Sequence, residues 1–428
     1  MRVLLLGSGG RESAMASALQ RSPAVGEMIA APGNPGIARL AEIRDLDAAD
    51  PTAVAELAAS VHPGLVIVGP EAPLVAGVPD ALRDRGYPVF GPSRHPARIE
   101  GSKTYAKELM LDSGIPTAGG RSFTEVAPAV AFMDELGPPY VIKADGLAAG
   151  KGVLVTDDRS EAIRGVEERL IEGRFGDAGR TVVIEEFLDG PELSVIAFSD
   201  GRTVLACPPA QDYKRAFDGD QGANTGGMGS YSPVPSCSEE LAAAIVWNVI
   251  EPMIAALAAR GTPFVGAIYA GLALTSKGPR VIEFNARFGD PETQALLPRL
   301  ESDFAELCFA SATGALEGAK LVCRPQACVA VVVASSGYPG PHATGLAISG
   351  VDEAESVPGV EVFHSGTGLR GGELVTAGGR VLSVSALGSD FKKARARAYQ
   401  AVSCIDFEGA RWRTDIALRA EMEKGEHL

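Results

Sequence analysis

The residues best suited to chemistry lie in Val141-Ile142-Lys143-Ala144-Asp145-Gly146-Leu147-Ala148-Ala149-Gly150-Lys151-Gly152-Val153. An apolar run delivers Lys143 to a strand end, and Gly146, Gly150 and Gly152 then frame Lys151 before a second apolar run. Glycine lets a backbone approach an anion closely, and lysine supplies a point charge for phosphate. Strand, Gly-rich turn and strand make a flap suited to closing over a polyphosphate; the plainer alternative is a hairpin with a basic tip. A P-loop is excluded, because Lys151 is followed by Gly152 and a strand, not by Ser or Thr and a helix.

In Val281-Ile282-Glu283-Phe284-Asn285-Ala286-Arg287, strand alternation sends Ile282, Phe284 and Ala286 to a core and Glu283, Asn285 and Arg287 to a cleft. A carboxylate and an amide oxygen two residues apart suit Mg²⁺, which shares its oxygen shell with phosphates. Arg287 has the charge to neutralise a moving phosphoryl group. The alternative is a half-buried edge strand with a Glu–Arg pair. Val182 to Glu192 reads as a strand leaving one lobe, whose hinge backbone can pair with an adenine edge, or simply as a strand end. Gln211 to Pro233 reads as a long polar loop holding Asp212, Lys214 and Arg215 ahead of a glycine-rich run. Loops of that length are usually functional or disordered, and the polar, anion-seeking groups among glycines favour a substrate loop over a floppy linker.

The first turn, Gly7-Ser8-Gly9-Gly10-Arg11-Glu12, fails as a dinucleotide fingerprint. Glu12 stands where the third glycine belongs, and the second strand ends in Ala31-Pro32-Gly33 without an acid for ribose. A turn feeding a helix N-terminus beside Arg11 still fits a monophosphate.

These pieces need a scaffold, and the chain has the length for about three domains. Residues 1 to about 100 alternate apolar runs (Val3–Leu6, Met28–Ala31, Leu65–Val68, Val89–Phe90) with helical patterns, the rhythm of a parallel sheet with crossover helices. A helix over 103–112 ends at Gly114 and Pro116, and residues 117–190 read as a small lobe containing the flap. Ser236 to Arg260 reads as a long helix with a Ser236–Glu239 capping box and a kink at Pro252. A net charge of −15 argues against a nucleic-acid partner, so anions must be met by local clusters. No segment approaches the roughly 20 apolar residues of a membrane span. Six cysteines without C-x-x-C spacing read as reduced, mostly buried thiols of a cytoplasmic protein, and the five histidines show no metal spacing.

In this order the segments resemble the phosphoribosylamine–glycine ligases (glycinamide ribonucleotide synthetases), an ATP-grasp family of purine biosynthesis. The likeness runs nearly end to end: GSGGRE (7–12), APGNPG (31–36), GPEAPLVAG (69–77), EGSK (100–103), VIKADGLAAGKGV (141–153) and IEEFLDG (184–190). It continues through NTGGMGSYSP (224–233), IEFNARFGDPETQ (282–294), GYPG (337–340) and AGGR (377–380). The resemblance implies a multidomain α/β and α+β fold. Its parts are an N-terminal Rossmann-like domain over 1–102, an ATP-grasp core over 103–325 and a C-terminal β-rich lobe over 326–428.

It further implies that ATP, glycine and 5-phosphoribosylamine give glycinamide ribonucleotide, ADP and phosphate through a glycyl phosphate. Lys103 and Lys143 match residues on the ATP phosphates, Gly146, Gly150, Lys151 and Gly152 the flap, and Glu185, Glu186, Leu188 (through its backbone) and Glu192 the adenine and ribose side. Glu283 and Asn285 match ligands of Mg²⁺ or Mn²⁺. Arg287 and Asp212 match catalytic positions, with Asn224, Thr225 and Gly226 beside the reacting carboxylate. Gly9, Gly10, Arg11, Asn34 and Glu71 match turns near the ribosylamine. A transient hand-over from the ribosylamine-producing enzyme is the one protein partnership the family leaves open. Two departures stand out. Ser13 replaces the family's histidine after Gly-Arg-Glu, and Tyr269-Ala270-Gly271-Leu272 lacks the acidic metal ligand common on that strand, leaving Asp290 or the phosphates to complete a two-metal shell.

Overall fold

The apolar runs of the first hundred residues become β1 (Arg2–Gly7), β2 (Glu27–Pro32), β4 (Leu65–Val68) and β5 (Val89–Phe90), joined by a short unanticipated β3 (Glu42–Ile43). They form a parallel sheet in the order β3-β2-β1-β4-β5. β1 and β4 are covered on both faces, which is why they read as unbroken apolar runs without alternation. The order reverses at β1, so the turns after β1, β2 and β4 open on one crevice. The computed structural model describes residues 1–147 and 152–423.

The helix Lys103–Asp112 leads into an antiparallel lobe of β6 (Gly120–Phe123), β7 (Tyr140–Ala144), β8 (Val153–Thr156) and β9 (Val182–Glu185), ordered β6-β9-β7-β8. Lys143 pairs with Val153 across β7 and β8, so the flap is the tip of this hairpin. Four of its residues, 148–151, lie outside the described residues, Gly150 and Lys151 among them.

The chain then departs from the sequence expectation. β10 (Glu192–Asp200) and β11 (Val204–Ala206) are followed by β12 (Gln211–Asp212), β13 (Arg215–Phe217), β14 (Gln221–Asn224) and β15 (Gly229–Ser232), so the expected long loop is built of strands. β13 and β14 pair with each other, while β15 pairs with a strand about a hundred residues away. Its hydrogen-bond partner is too distant for local patterning to reveal.

The long helix spans Glu239–Ala259, with Ser238 as N-cap where Ser236 was expected; Ser238 Oγ accepts from Leu241 N–H. It runs through Pro252 by way of a π turn over Val246–Ile250, whose wider hydrogen-bond spacing accommodates the missing proline N–H. Its 21 residues include an 18-residue window of mean hydropathy 1.8, so it is long and apolar enough to cross a membrane by length and composition, contrary to the expectation that no segment approaches that size. Its buried residues, among them Ile245, Val249, Ile254 and Leu257, pack into the main core.

β16 (Val265–Thr275) and β17 (Gly278–Asn285) complete the sheet β11-β10-β16-β17. Gly271 pairs with Glu283 but Leu272 with Val281, so Ile282 is an extra, bulged residue. Val281 is therefore the buried core residue and Ile282 is only half-buried, contrary to strict alternation. A bulge re-aims the side chains beyond it; here it sets the phase for Glu283 and Asn285. The C-terminal lobe contains β18 (Ala327–Ala334), β19 (Val360–His364), a hairpin of β20 (Thr367–Arg370) and β21 (Glu373–Thr376), and β22 (Arg380–Gly388). Its main sheet runs β12-β15-β18-β22-β19 and so borrows two strands from the middle of the chain. All six cysteines are free thiols, but only Cys207, Cys308 and Cys328 are buried, fewer than expected.

Two seams lock these parts. Phe90 of β5, Phe198 of β10, Phe288 after β17 and Phe304 of the helix Phe304–Thr313 form an aromatic cluster with centroids 5.4–6.2 Å apart. The other seam joins the first helix to the C-terminal lobe. His364 N–H donates to Ser13 Oγ (3.1 Å), and Asn34 Nδ2 donates to the His364 carbonyl (2.9 Å). Ser13, one of the two departures from the resemblance, thus serves docking in this chain. His364 is itself 3% exposed, its Nδ1 is 3.0 Å from Thr367 Oγ1, and burial, with Arg39 nearby, pushes its pKa down to about 4.

Phe198→Ala empties the middle of the aromatic cluster and should lower unfolding free energy by about 3–5 kcal/mol in urea melts. A loss under about 1 kcal/mol would show that the cluster does not bind the parts together. The histidine predicts a pH effect. With its folded value below the unfolded one, its contribution is intact above about pH 6.5 and is lost as pH falls towards about 4, amounting to about 3 kcal/mol. His364→Asn should therefore show a shallower fall in urea midpoint between pH 7 and 4.5 than the parent. Parallel falls would contradict this.

Candidate active site

The site begins where β7 ends. Asp145 binds the start of the helix Lys103–Asp112: its carboxylate accepts from Thr104 N–H (2.6 Å) and its carbonyl from Lys103 N–H (3.1 Å). Ser102 Oγ caps the same helix by accepting from Tyr105 N–H. This joint brings Lys103 and Lys143 to one side of the cleft, where Glu283 acts on both.

Behind them lies a buried triad. Glu185 receives Lys143 Nζ at 2.5 Å and Lys107 Nζ at 2.7 Å, all three side chains being at most 7% exposed. Burial pushes the Glu185 carboxyl up, but Lys143 and Lys107 outweigh it and hold the pKa below the ordinary range. Lys107 also donates to Thr117 Oγ1 and the Ala118 carbonyl, and Lys143 to the Ile282 carbonyl at the bulge (3.2 Å). Glu185, expected on the adenine side, is engaged by these two lysines. Sequence reasoning missed Lys107, although its i, i+4 spacing from Lys103 was a usable signal. Glu186 lies outside the triad: it accepts from Gly119 N–H and pairs with Arg280 (both 2.8 Å). Leu188 is half-buried just beyond β9, and Gly152 accepts from Ala144 N–H across the flap hairpin.

A second cluster surrounds Asp212. Lys214 pairs with Glu192, while Glu292 accepts from Ser194 Oγ (3.1 Å), which also meets Tyr269 Oη (2.9 Å). Burial pushes the Asp212 pKa up to about 8; Lys214 opposes the rise, and Glu292, Glu192 and Glu283 add to it. Glu283 behaves oppositely. Burial raises its carboxyl, but Lys214, Lys103, Lys143 and Arg287 hold the pKa below the usual value. Past the bulge, Glu283 and Asn285 offer a carboxylate and an amide oxygen from one strand face. Among the described residues no group of three or more His, Cys, Asp or Glu forms a metal cage. Such a pair fits a hard divalent cation that completes its shell with phosphate oxygens and water.

Arg287 joins this cluster to the first domain. Its guanidinium meets Glu100 at 2.7 Å and Glu71 at 3.3 Å; burial lowers its pKa, but Glu100 and Glu71 more than compensate. Glu71 is also 3.9 Å from Arg11, which pairs with Glu12 (2.6 Å) and donates to the Phe288 carbonyl (3.0 Å). Glu12 reaches back to Gly9 N–H (2.7 Å), and a Cβ at Gly69 would strike it at 2.2 Å. These turns surround a cavity of about 360 Å³ lined by Gly9, Arg11, Pro32, Asp47 and Asp290, among others. Asn34 stands apart, its amide occupied by Ser8, Ile37 and His364. Gly10 faces Ser365 and Gln294, where a Cβ would clash. Asp290, a candidate from sequence for the metal shell, is already engaged: Oδ1 meets Arg380 (3.2 Å) and Gln294 (2.8 Å), and Oδ2 accepts from Arg11 N–H (3.4 Å). On the glycine-rich segment, Thr225 binds the Lys214 carbonyl through both N–H and Oγ1, and Asn224 pairs with Arg215.

Three family models cover the chain: the phosphoribosylglycinamide synthetase N domain matches residues 1–100, its ATP-grasp (A) domain 101–293 and its C domain 328–419. The phosphoribosylamine–glycine ligase of Streptomyces coelicolor is 52% identical over 423 residues, covering 98% of this chain and 99% of the relative. That of Pseudomonas aeruginosa is 47% identical over the full length of both. The crystal structure of the Thermotoga maritima phosphoribosylamine–glycine ligase superposes with a TM-score of 0.84 at 34% identity, covering 97% of this chain and all of that one. The biotin carboxylase of Campylobacter jejuni, in complex with β,γ-ATP, shares the fold alone, with a TM-score of 0.71 at 14% identity over 98% of both chains. With all three domain models in register and full-length relatives at about half identity, the chain belongs to the phosphoribosylglycinamide synthetase family.

Proposed function

We propose that the protein is an ATP-dependent phosphoribosylamine–glycine ligase, joining glycine to 5-phosphoribosylamine to give glycinamide ribonucleotide, ADP and phosphate. What carries the reading is family membership over the whole length, with the lysines, carboxylates and Arg287 gathered in one cleft. Glycine's carboxylate is a poor electrophile until one oxygen leaves as phosphate, so the first step is phosphoryl transfer from ATP to that carboxylate. The ribosylamine nitrogen then attacks the glycyl phosphate and expels phosphate.

Lys103 and Lys143 bind the ATP phosphates in this reading. The Glu185–Lys107 pair keeps the buried carboxylate compensated when Lys143 turns towards substrate. Glu186, Leu188 and Glu192 border the adenosine. Glu283 and Asn285 hold Mg²⁺ or Mn²⁺, which when bound spreads the charge of the transferring phosphoryl group. Arg287 faces the same charge, with Asp212 and Asn224–Gly226 around the glycine. The cavity at Gly9, Gly10, Arg11 and Glu71 receives the ribosylamine, with Asn34 shaping the turn beside it. A closing flap, including Gly146, Gly150, Lys151 and Gly152, shields the acyl phosphate from water. We assign the protein to the cytoplasm, and the short life of ribosylamine favours direct hand-over from the enzyme that makes it.

The first test supplies ATP, Mg²⁺ and glycine with ribosylamine formed in place from ribose 5-phosphate and ammonia. Phosphate release should require every component and yield glycinamide ribonucleotide; release with a different acid or amine would overturn the substrate assignment. Glu283→Ala should abolish turnover while leaving the thermal transition in place, and near-normal rates across a Mg²⁺ and Mn²⁺ titration would refute its role. Lys143→Ala should weaken ATP binding by about 10–100-fold in calorimetry, the worth of a charge-assisted contact. Unchanged affinity would count against that contact.

A further inference from the structure

Two motifs, Gly337-Tyr338-Pro339-Gly340 and Ala377-Gly378-Gly379-Arg380, take no part in the proposed chemistry. They meet in space. A Cβ on Gly379 would lie 2.2 Å from Tyr338 Cδ2, so the bare backbone at 379 is what lets the phenol ring pack there. The ring directs its hydroxyl to Gly226, whose N–H donates to Tyr338 Oη at 2.9 Å. From the other motif, Arg380 Nη1 donates to the Gly226 carbonyl at 2.6 Å and to the Asp290 carbonyl at 2.9 Å, and lies 3.2 Å from Asp290 Oδ1.

Both backbone polar groups of Gly226 are therefore held by the C-terminal lobe, one by each motif. The neighbouring residue is equally constrained. Gly227 has φ +106°, and a Cβ there would meet Pro291 Cδ at 2.3 Å. At Gly226 a Cβ would come within 3.1 Å of Arg380 Cζ and 3.3 Å of Tyr338 Oη. The glycine-rich segment is thus wedged between the Asp290–Pro291 turn and the C-terminal lobe. Asp290, gripped by Arg380, also accepts from Arg11 N–H and lines the cavity of the first domain. The side-chain hydrogen bonds of Arg380 and Tyr338 reach these two segments and not the Lys143–Glu185–Lys107 triad.

We propose that Arg380 and Tyr338 are positioning residues for the amino-acid end of the reaction, holding the Gly226 peptide and the Asp290 turn in the register that glycine activation requires. The proposal rests on the glycine-ligase reading. A guanidinium suits the task because one nitrogen satisfies two carbonyls while its charge meets the buried Asp290 carboxylate. Displacing either segment by an ångström is enough to cost about 100-fold in rate.

The test uses the full-length protein with Mg²⁺ and compares Arg380→Met, Arg380→Lys and Tyr338→Phe. Arg380→Met should lose about 100-fold in kcat/KM for glycine while KM for ATP stays within about twofold. Tyr338→Phe, which removes one acceptor, should lose about tenfold, as expected for one hydrogen bond near 1.4 kcal/mol. Arg380→Lys should recover most of the loss, since an ammonium can meet the same three oxygens. If Arg380→Met fails to fold, the lysine and phenylalanine variants decide the matter by the same split. A proportional fall for every substrate, tracking loss of folded protein, would reduce the pair to a structural role and overturn the proposal. So would unchanged glycine parameters in folded variants. Failure of the functional reading looks different: the parent would then need an acid other than glycine, and the same variants assayed with that acid still decide the role of Arg380. A parent without any acid-dependent turnover overturns both.

Discussion

Arg287 carries its charge to the point where the first domain meets the central sheet, and the need to keep that charge compensated organises its surroundings. Glu100, from the short helix Arg98–Gly101, and Glu71, the first residue of the helix Glu71–Ala76, flank the guanidinium. Glu100 also accepts from Ala286 N–H (2.7 Å), fixing the strand end that presents the arginine. Glu71 is shared with Arg11, and Arg11 with Glu12, so cations and anions alternate from the first turn of the chain to the strand bearing Glu283. A lone buried charge costs several kcal/mol, whereas each member of this chain has a neighbour of opposite sign.

The buried triad of Lys143, Glu185 and Lys107 obeys the same rule on a smaller scale. Glu185 is shared between a lysine facing the cleft and a lysine turned into the protein. In the proposed reaction an arriving polyphosphate competes for only one of them, Lys143. The carboxylate keeps a partner in either state, so Lys143 can be drawn towards a ligand without stranding a buried anion.

Much of this was legible in residue order, and the failures have physical causes. The parallel sheet of the first hundred residues and the run Ala327–Ala334 were readable because strands buried on both faces leave unbroken apolar runs. Glu283 and Asn285 were found by strand alternation, yet that alternation mispredicted Ile282, because a bulge is a property of two paired strands and no single one displays it. β12 and β15 read as loop in sequence because the strand that completes their pairing, β18, is supplied by tertiary structure. The Ser13 substitution was visible and its consequence was not; its hydrogen-bond partner lies about 350 residues away. Lys107 is the opposite case, since its i, i+4 spacing from Lys103 is written in the sequence itself.

The borrowing of β12 and β15 constrains how this chain can be divided or joined to others. β18 is flanked on one side by β22 and on the other by β15, so a C-terminal piece starting at the linker before residue 327 would expose the edge of this apolar strand that β15 covers from Cys328 to Val331. Unpaired edges of that kind invite association with other chains. The third segment is therefore a continuation of the central one by shared backbone hydrogen bonds and not a detachable module. Gene fusions, insertions and circular permutations that respect this architecture should fall at surface turns or at the chain ends, and evolution has the same few seams to cut along.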